Sequence, residues 1–154
     1  MVTFFVHGDP QPGGSKKGFA YIDKKTGKTR VNIVDDAKRN KEWRSLVAHM
    51  ARKVMGEDPP LKGALSLDIV FLVRRPKSHY GTGRNAGYLK KSAPRYPTTR
   101  PDQTKLLRST EDALTGIVWR DDAQVVRQFI QKNYTPASPG ARIDVLELEP
   151  EDVH

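Results

Sequence analysis

The run Ala64–Val73 places Leu65, Leu67, Ile69, Phe71 and Val73 on alternate positions. A period of two sets all five on one face of a β-strand. Such a strand must join a sheet, and its apolar face must be covered. The same chain supplies two covers. From about residue 36 to Met55, Trp43, Leu46, Val47, Met50 and Val54 recur at helical spacing,. Asp35 or Asp36 can cap that helix, and Gly56 with Pro59-Pro60 ends it. A second helix is expected from about Asp102 to Thr115. Leu106, Leu107, Thr110, Ala113, Leu114 and Ile117 form its apolar stripe, and Gly116 stands at its C-cap,.

The remaining segments complete the sheet. Residues 2–7, 125–130 and 142–148 read as strands, rich in aromatic and β-branched types,. Residues 19–22 and 29–34 flank Lys24–Lys28 as a hairpin with a basic tip,. Helices and strands do not alternate strictly, and no segment repeats. The expected fold is α+β, one domain over residues 1–154, with a mixed β-sheet and two main helices packed on it. Residues 76–99 form a long loop rich in Gly, Pro, Ser, Lys and Arg. Loops beyond ~20 residues are unusual in compact domains and point to function or disorder. Arg74, Arg75, Lys77, Arg84, Lys90, Lys91, Arg95 and Arg100 surround this one, with Tyr80, Tyr88 and Tyr96 interleaved. Cations among aromatics suit phosphate contact and base stacking; a solvated loop has the same composition.

Composition removes several kinds of chemistry. The chain has no cysteine, so disulfides and thiolate metal sites are excluded,. His7, His49, His79 and His154 are scattered, without the short spacing of an imidazole metal site. Oxygen ligands remain, and they favour Mg²⁺ or Mn²⁺. No run of about 18 apolar residues exists to span a membrane. The N-terminus lacks the basic lead of a signal peptide, so a cytoplasmic location is expected. The formal net charge of +9 points to a polyanionic partner,. No histidine lies in a recognisable nucleophile motif, and Gly13-Gly14-Ser15-Lys16-Lys17 is not a phosphate-binding P-loop,. That segment reads instead as a loop in which Lys16 and Lys17 meet the polyanionic partner.

Acids gather where the chain is otherwise basic. Asp102, Glu111, Asp112, Asp121 and Asp122 fall between residues 102 and 122. A shared divalent cation is one reason to collect like charges, and phosphodiester cleavage uses such an ion. Thr104, Arg108, Glu111 and Thr115 follow one another at spacings of four, three and four, so they share one polar stripe of the helix. Asp121-Asp122 lies past the helix end and can fold back beside it. Structural readings stay open for each acid: Asp102 as a cap, Glu111 paired with Arg108, and Asp121-Asp122 as a solvated turn.

Three segments carry a family resemblance. They are Pro101-Asp102-Gln103-Thr104-Lys105-Leu106-Leu107-Arg108, Asp112-Ala113-Leu114-Thr115-Gly116, and Trp119-Arg120-Asp121-Asp122-Ala123-Gln124-Val125-Val126. In order and spacing they resemble the signature of RusA-type Holliday junction resolvases. A weaker likeness extends to the Gly- and Pro-rich residues 8–16 and to the helix containing Trp43. The resemblance implies a structure-selective endodeoxyribonuclease, a homodimer that binds branched DNA, four-way junctions above all, and nicks paired strands symmetrically with Mg²⁺ or Mn²⁺. It also suggests a phage or prophage setting. It implies Asp102 and Asp122 as metal ligands with Asp121 beside them, and Arg108 as the cation that steadies charge on the phosphate. The family's second carboxylate position is Thr104 here, a poorer and uncharged ligand. Glu111, further along the same stripe, is the candidate replacement. Lys16, Lys17, Arg74, Arg75, Lys77, Arg100 and Lys105 are the expected DNA contacts. With the site weakened at Thr104, the alternative is a non-catalytic branched-DNA-binding protein of the same fold.

Overall fold

The computed structural model describes residues 1–13, 16–35 and 37–152. A four-stranded sheet runs in the order β1-β6-β4-β5. Its strands are β1 (Val2–His7), β4 (Leu65–Arg74), β5 (Val125–Thr135) and β6 (Gly140–Glu147). β6 pairs antiparallel with both β1 and β4, whereas β4 and β5 are parallel. The sheet is therefore mixed. β2 (Lys16–Ile22) and β3 (Thr29–Asp35) form a separate antiparallel hairpin, closed by Asp23 and by Gly27 at φ +66°. It is longer than the pattern of residues 19–22 and 29–34 indicated. The fold is α+β, as expected.

Alternation in β4 determines which face is covered. Leu65, Leu67, Ile69 and Phe71 are fully buried, as are Ala141, Ile143 and Val145 of β6 and Val6 of β1. The cover is α1 (Ala37–Met55) with α2 (Gln103–Leu114). The buried line of α1 is Asn40, Trp43, Val47, Ala51 and Met55, at spacings of three and four. Leu46 and Val54, placed in the apolar stripe from sequence, are 42% and 40% exposed. They fall one residue to the side of the contact line, at its solvent edge. The side chains of both candidate caps, Asp35 and Asp36, lie outside the described residues.

The two helices are joined by buried polar contacts as well as apolar ones. The Trp43 indole N–H donates to Thr110 Oγ1 at 3.1 Å, and that hydroxyl donates to the Leu106 carbonyl at 2.9 Å. Ser109 Oγ donates to Asn40 Oδ1 at 2.5 Å. Each of these buried groups has a partner, which is the condition for keeping polar atoms in a core. Close approach also matters between strands. A Cβ on Gly140 would stand 2.2 Å from the Val6 carbonyl oxygen, so glycine is required at the start of β6.

Parallel β4 and β5 need a crossover. The chain leaves the end of β4, forms the basic segment, runs back along α2 and enters β5 through a turn. α2 thus has one end near the basic segment and the other near the start of β5. No helix among the described residues is long and apolar enough to cross a membrane.

Candidate active site

The C-terminal end of α2 is where acidic side chains meet. Thr115 caps the helix, and Gly116 takes φ +86°, a conformation that favours glycine,. The Gly116 N–H donates to the Trp119 carbonyl at 2.6 Å, which closes the turn. A 3₁₀ turn, Asp122–Gln124, follows and leads into β5. Asp121 is its N-cap, accepting from the Ala123 N–H at 2.8 Å, while Gln124 Oε1 accepts from the Asp121 N–H at 3.0 Å. The Gln124 amide donates to the carbonyls of Leu61 and Gly63. This capping box holds Asp122 in place.

Asp122 points back at the helix. Its Oδ1 accepts from the indole N–H of buried Trp119 at 3.0 Å and lies against the Thr115 hydroxyl. Glu111, one helical turn before Thr115, accepts from the Gln128 side-chain amide of β5. Burial raises the Glu111 pKa above the ordinary glutamate value, the charges of Asp122 and then Asp112 raise it further, and the Gln128 bond opposes them,. Glu111 and Asp122 are therefore close enough to repel. Their side-chain partners are an indole, a hydroxyl and an amide, all neutral donors. The salt bridges among the described residues involve Asp9, Asp23, Asp102 and Asp144, and none involves Glu111 or Asp122.

The other site candidates lie elsewhere. Asp102 occupies the N-cap position of α2 without a side-chain capping bond, and its carboxylate is 3.8 Å from Lys105 Nζ. The 12-residue helix, about 18 Å long, separates it from Asp122,. Within one chain, then, Glu111 joins Asp122 and Asp102 does not. Thr104 is exposed two turns before Glu111, and Arg108 is exposed one turn before it. Among the described residues no group of three or more His, Asp or Glu side chains is arranged to hold a metal ion. The Glu111–Asp122 pair nonetheless suits Mg²⁺ or Mn²⁺, which commonly use one or two carboxylates and take their other ligands from water and phosphate.

The basic segment is built, not loose. Arg75 stacks on the Tyr134 ring at 4.2 Å and donates to the Pro94 carbonyl at 2.6 Å. His79 meets the same ring edge-on. Gly81 and Lys90 donate backbone bonds to Tyr88 and His79, and Lys132 Nζ donates to the carbonyls of Thr99 and Pro101. Tyr88 and Tyr96 stay exposed, at 71% and 57%. Of the expected DNA contacts, Arg74 pairs with Asp9 at 3.5 Å, while Lys77 and Arg100 are exposed. Lys16 and Lys17 begin β2, and their side chains lie outside the described residues.

Sequence reasoning missed Gln128, and it gave the Trp119 N–H no task. The Trp119–Asp122 spacing of three was a usable signal. Gln128 had none, because its contact with Glu111 joins β5 to α2.

The family model described as Endodeoxyribonuclease RusA matches residues 14–146. The chain belongs to the RusA endodeoxyribonuclease family. The matched span of this RusA-family chain contains α2, the Trp119–Gln124 turn and the basic segment. The chain is also similar to a Bacillus subtilis (strain 168) protein named "Uncharacterized protein YqaN", at 28% identity over 148 residues and 96% of each chain.

Proposed function

We propose that this RusA-family chain is a metal-dependent, structure-selective endodeoxyribonuclease that resolves Holliday junctions and other branched DNA, acting as a homodimer. One observation carries the reading: Glu111 and Asp122, near enough to repel, are each fastened by neutral donors, with no salt bridge to lysine or arginine among the described residues, within an otherwise basic chain. Asp122 and Glu111 would hold Mg²⁺ or Mn²⁺, which supplies an activated water and neutralises charge on the scissile phosphate. Trp119, Thr115 and Gln128 fix the two carboxylates. Arg108, on the Glu111 face of α2, offers its guanidinium to the phosphate, where a cation stabilises developing negative charge. It cannot act as the proton donor. Asp121 supports the turn, and Asp102 with Thr104 lies toward the basic segment. Tyr88 and Tyr96 suit stacking on unpaired bases at a branch point, and the surrounding cations suit phosphates.

The test is a labelled synthetic four-way junction incubated with the protein in Mg²⁺, Mn²⁺ or EDTA. Symmetric nicks in either metal and none in EDTA are expected. A second reading, a non-catalytic junction binder, draws on the two-carboxylate site and on Thr104. It predicts shifted, uncut DNA in both metals, and that result would end the nuclease proposal.

A further inference from the structure

α1 and α2 leave an open groove of about 700 Å³ beside the candidate site. Lys41, Arg44, Ser45 and Arg52 of α1 form one wall, and Asp112 and Thr115 line the other. Lys41, Arg44 and Arg52 are spaced three and eight apart, so they project along one face of the helix. All three are exposed. The salt bridges among the described residues use Arg30, Arg74, Lys105 and Arg142, and none uses these three. Thr115 belongs to both places, because its hydroxyl also touches Asp122. The cationic wall therefore leads to the carboxylates.

We propose that this groove binds one sugar–phosphate backbone of a DNA arm and guides it to the Glu111–Asp122 pair. The proposal rests on the nuclease reading above. Its occupant is argued from charge and length. From Lys41 to Arg52 the helix rises about 16 Å, comparable to the rise of roughly five nucleotides on one strand of a duplex. A row of cations at intervals matches a polymer with regularly spaced charge, whereas a single small anion needs convergent donors. The groove is polar and unenclosed, which suits a solvated backbone and gives a base no apolar pocket. Asp112 is the acid in the lining, and it stands next to Glu111. It repels a backbone there and so marks where the strand must turn out of the groove toward the pair.

The experiment measures affinity for a fluorescent four-way junction in EDTA across a salt series. It compares the parent with Lys41→Gln/Arg44→Gln/Arg52→Gln and with a charge-matched control, Lys28→Gln/Lys53→Gln/Lys62→Gln. Circular dichroism and melting curves check that each is folded, and the single variant Arg44→Gln serves if the triple is not. Each lost phosphate contact removes about 0.9 from the slope of log K against log salt, or roughly tenfold in affinity at 0.1 M salt. The groove variant should lose more than about 100-fold in affinity and about two to three units of slope. Arg44→Gln should lose about one unit, and Asp112→Asn should bind more tightly than the parent. An unchanged slope, or an equal loss in the control, overturns the groove while the parent's cleavage leaves the nuclease reading intact. Polyglutamate competing as well as DNA at equal charge also overturns it. A parent that binds no DNA overturns both.

Discussion

The substitution Asp122→Asn separates a structural role for this side chain from a chemical one. In the parent, Oδ1 accepts from the Trp119 indole and lies against the Thr115 hydroxyl. The amide of the variant would keep a carbonyl oxygen in that place. A neutral acceptor contributes about 1 kcal/mol less per bond than an ionised one, so two bonds set a ceiling of about 2 kcal/mol on the loss. Exposure of Asp122 to water reduces that figure. Removing its charge also relieves the repulsion that raises the Glu111 pKa. The net change should stay within about 1 kcal/mol, or about 2–4 °C in Tm for a domain of this length. Cleavage should behave very differently. Loss of a residue that merely supports a metal ligand costs roughly 10–100-fold; loss of the ligand itself should exceed about 1000-fold. The assay pairs single-turnover cleavage of a labelled junction in Mg²⁺ and Mn²⁺ with thermal melting in EDTA and under a Mn²⁺ titration. The parent should gain Tm with Mn²⁺, and the variant should not. Cleavage within tenfold of the parent would refute the metal role. A Tm lower by more than about 8 °C would show that Asp122 is mainly a structural anchor.

Three further outcomes are expected. Glu111 has a folded pKa above its unfolded value, so its contribution to stability is present below the ordinary glutamate range and is lost as pH rises through the folded value,. Glu111→Gln should therefore melt above the parent at pH 7.5 in EDTA, with the gap closing at pH 4; a parent that melts higher at pH 7.5 contradicts this. Gln128→Lys should place a cation against Glu111, raise the metal-free Tm by a few degrees and abolish the Mn²⁺-induced rise, since the carboxylate is then already neutralised,. Thr110→Val removes the acceptor of the buried Trp43 indole and should cost about 1–3 kcal/mol, or roughly 3–10 °C in Tm, measured by scanning calorimetry,.

Legibility from sequence followed the range of the interactions. The alternation of β4 and the stripe of α2 are local patterns, and the structure contains both elements within a residue or two of the expected ends. The stripe of α1 was drawn too wide, because periodicity alone does not say how broad a surface the helix meets. Leu46 and Val54 fit the period, yet they stand beside the line of Trp43, Val47, Ala51 and Met55. The basic segment was legible as unusual but not as ordered. Its order comes from Arg75, His79 and Lys132 bonding across β5, which no local pattern reports. The site divided in the same way. Thr115 and Asp122 are seven residues apart, and the helix-then-turn reading anticipated that Asp122 could fold back. The separation of Asp102 from that end follows from the rigidity of a 12-residue helix, once its boundaries are known,.

The contrast between Asp102 and Asp122 bears on what the fold does with negative charge. Asp102 faces a lysine one turn away, and such an exposed pair is worth little to stability. Asp122 and Glu111 are fastened by donors that carry no charge, so their orientation is fixed while their negative charge is retained. Holding them this way costs the metal-free protein stability, as the raised Glu111 pKa records,. A chain with 27 lysines and arginines could have quenched either acid with a nearby cation. Lys41, Arg44 and Arg52 line the groove instead, other cations lie in the basic segment, and Arg108, one turn from Glu111, forms no salt bridge with it. In the proposed reading, charge of both signs is kept separate within one surface, with phosphates on the cationic groove and basic segment and the divalent ion at the end of α2. A phosphodiester held against both signs at once is the arrangement that hydrolysis with a divalent ion requires.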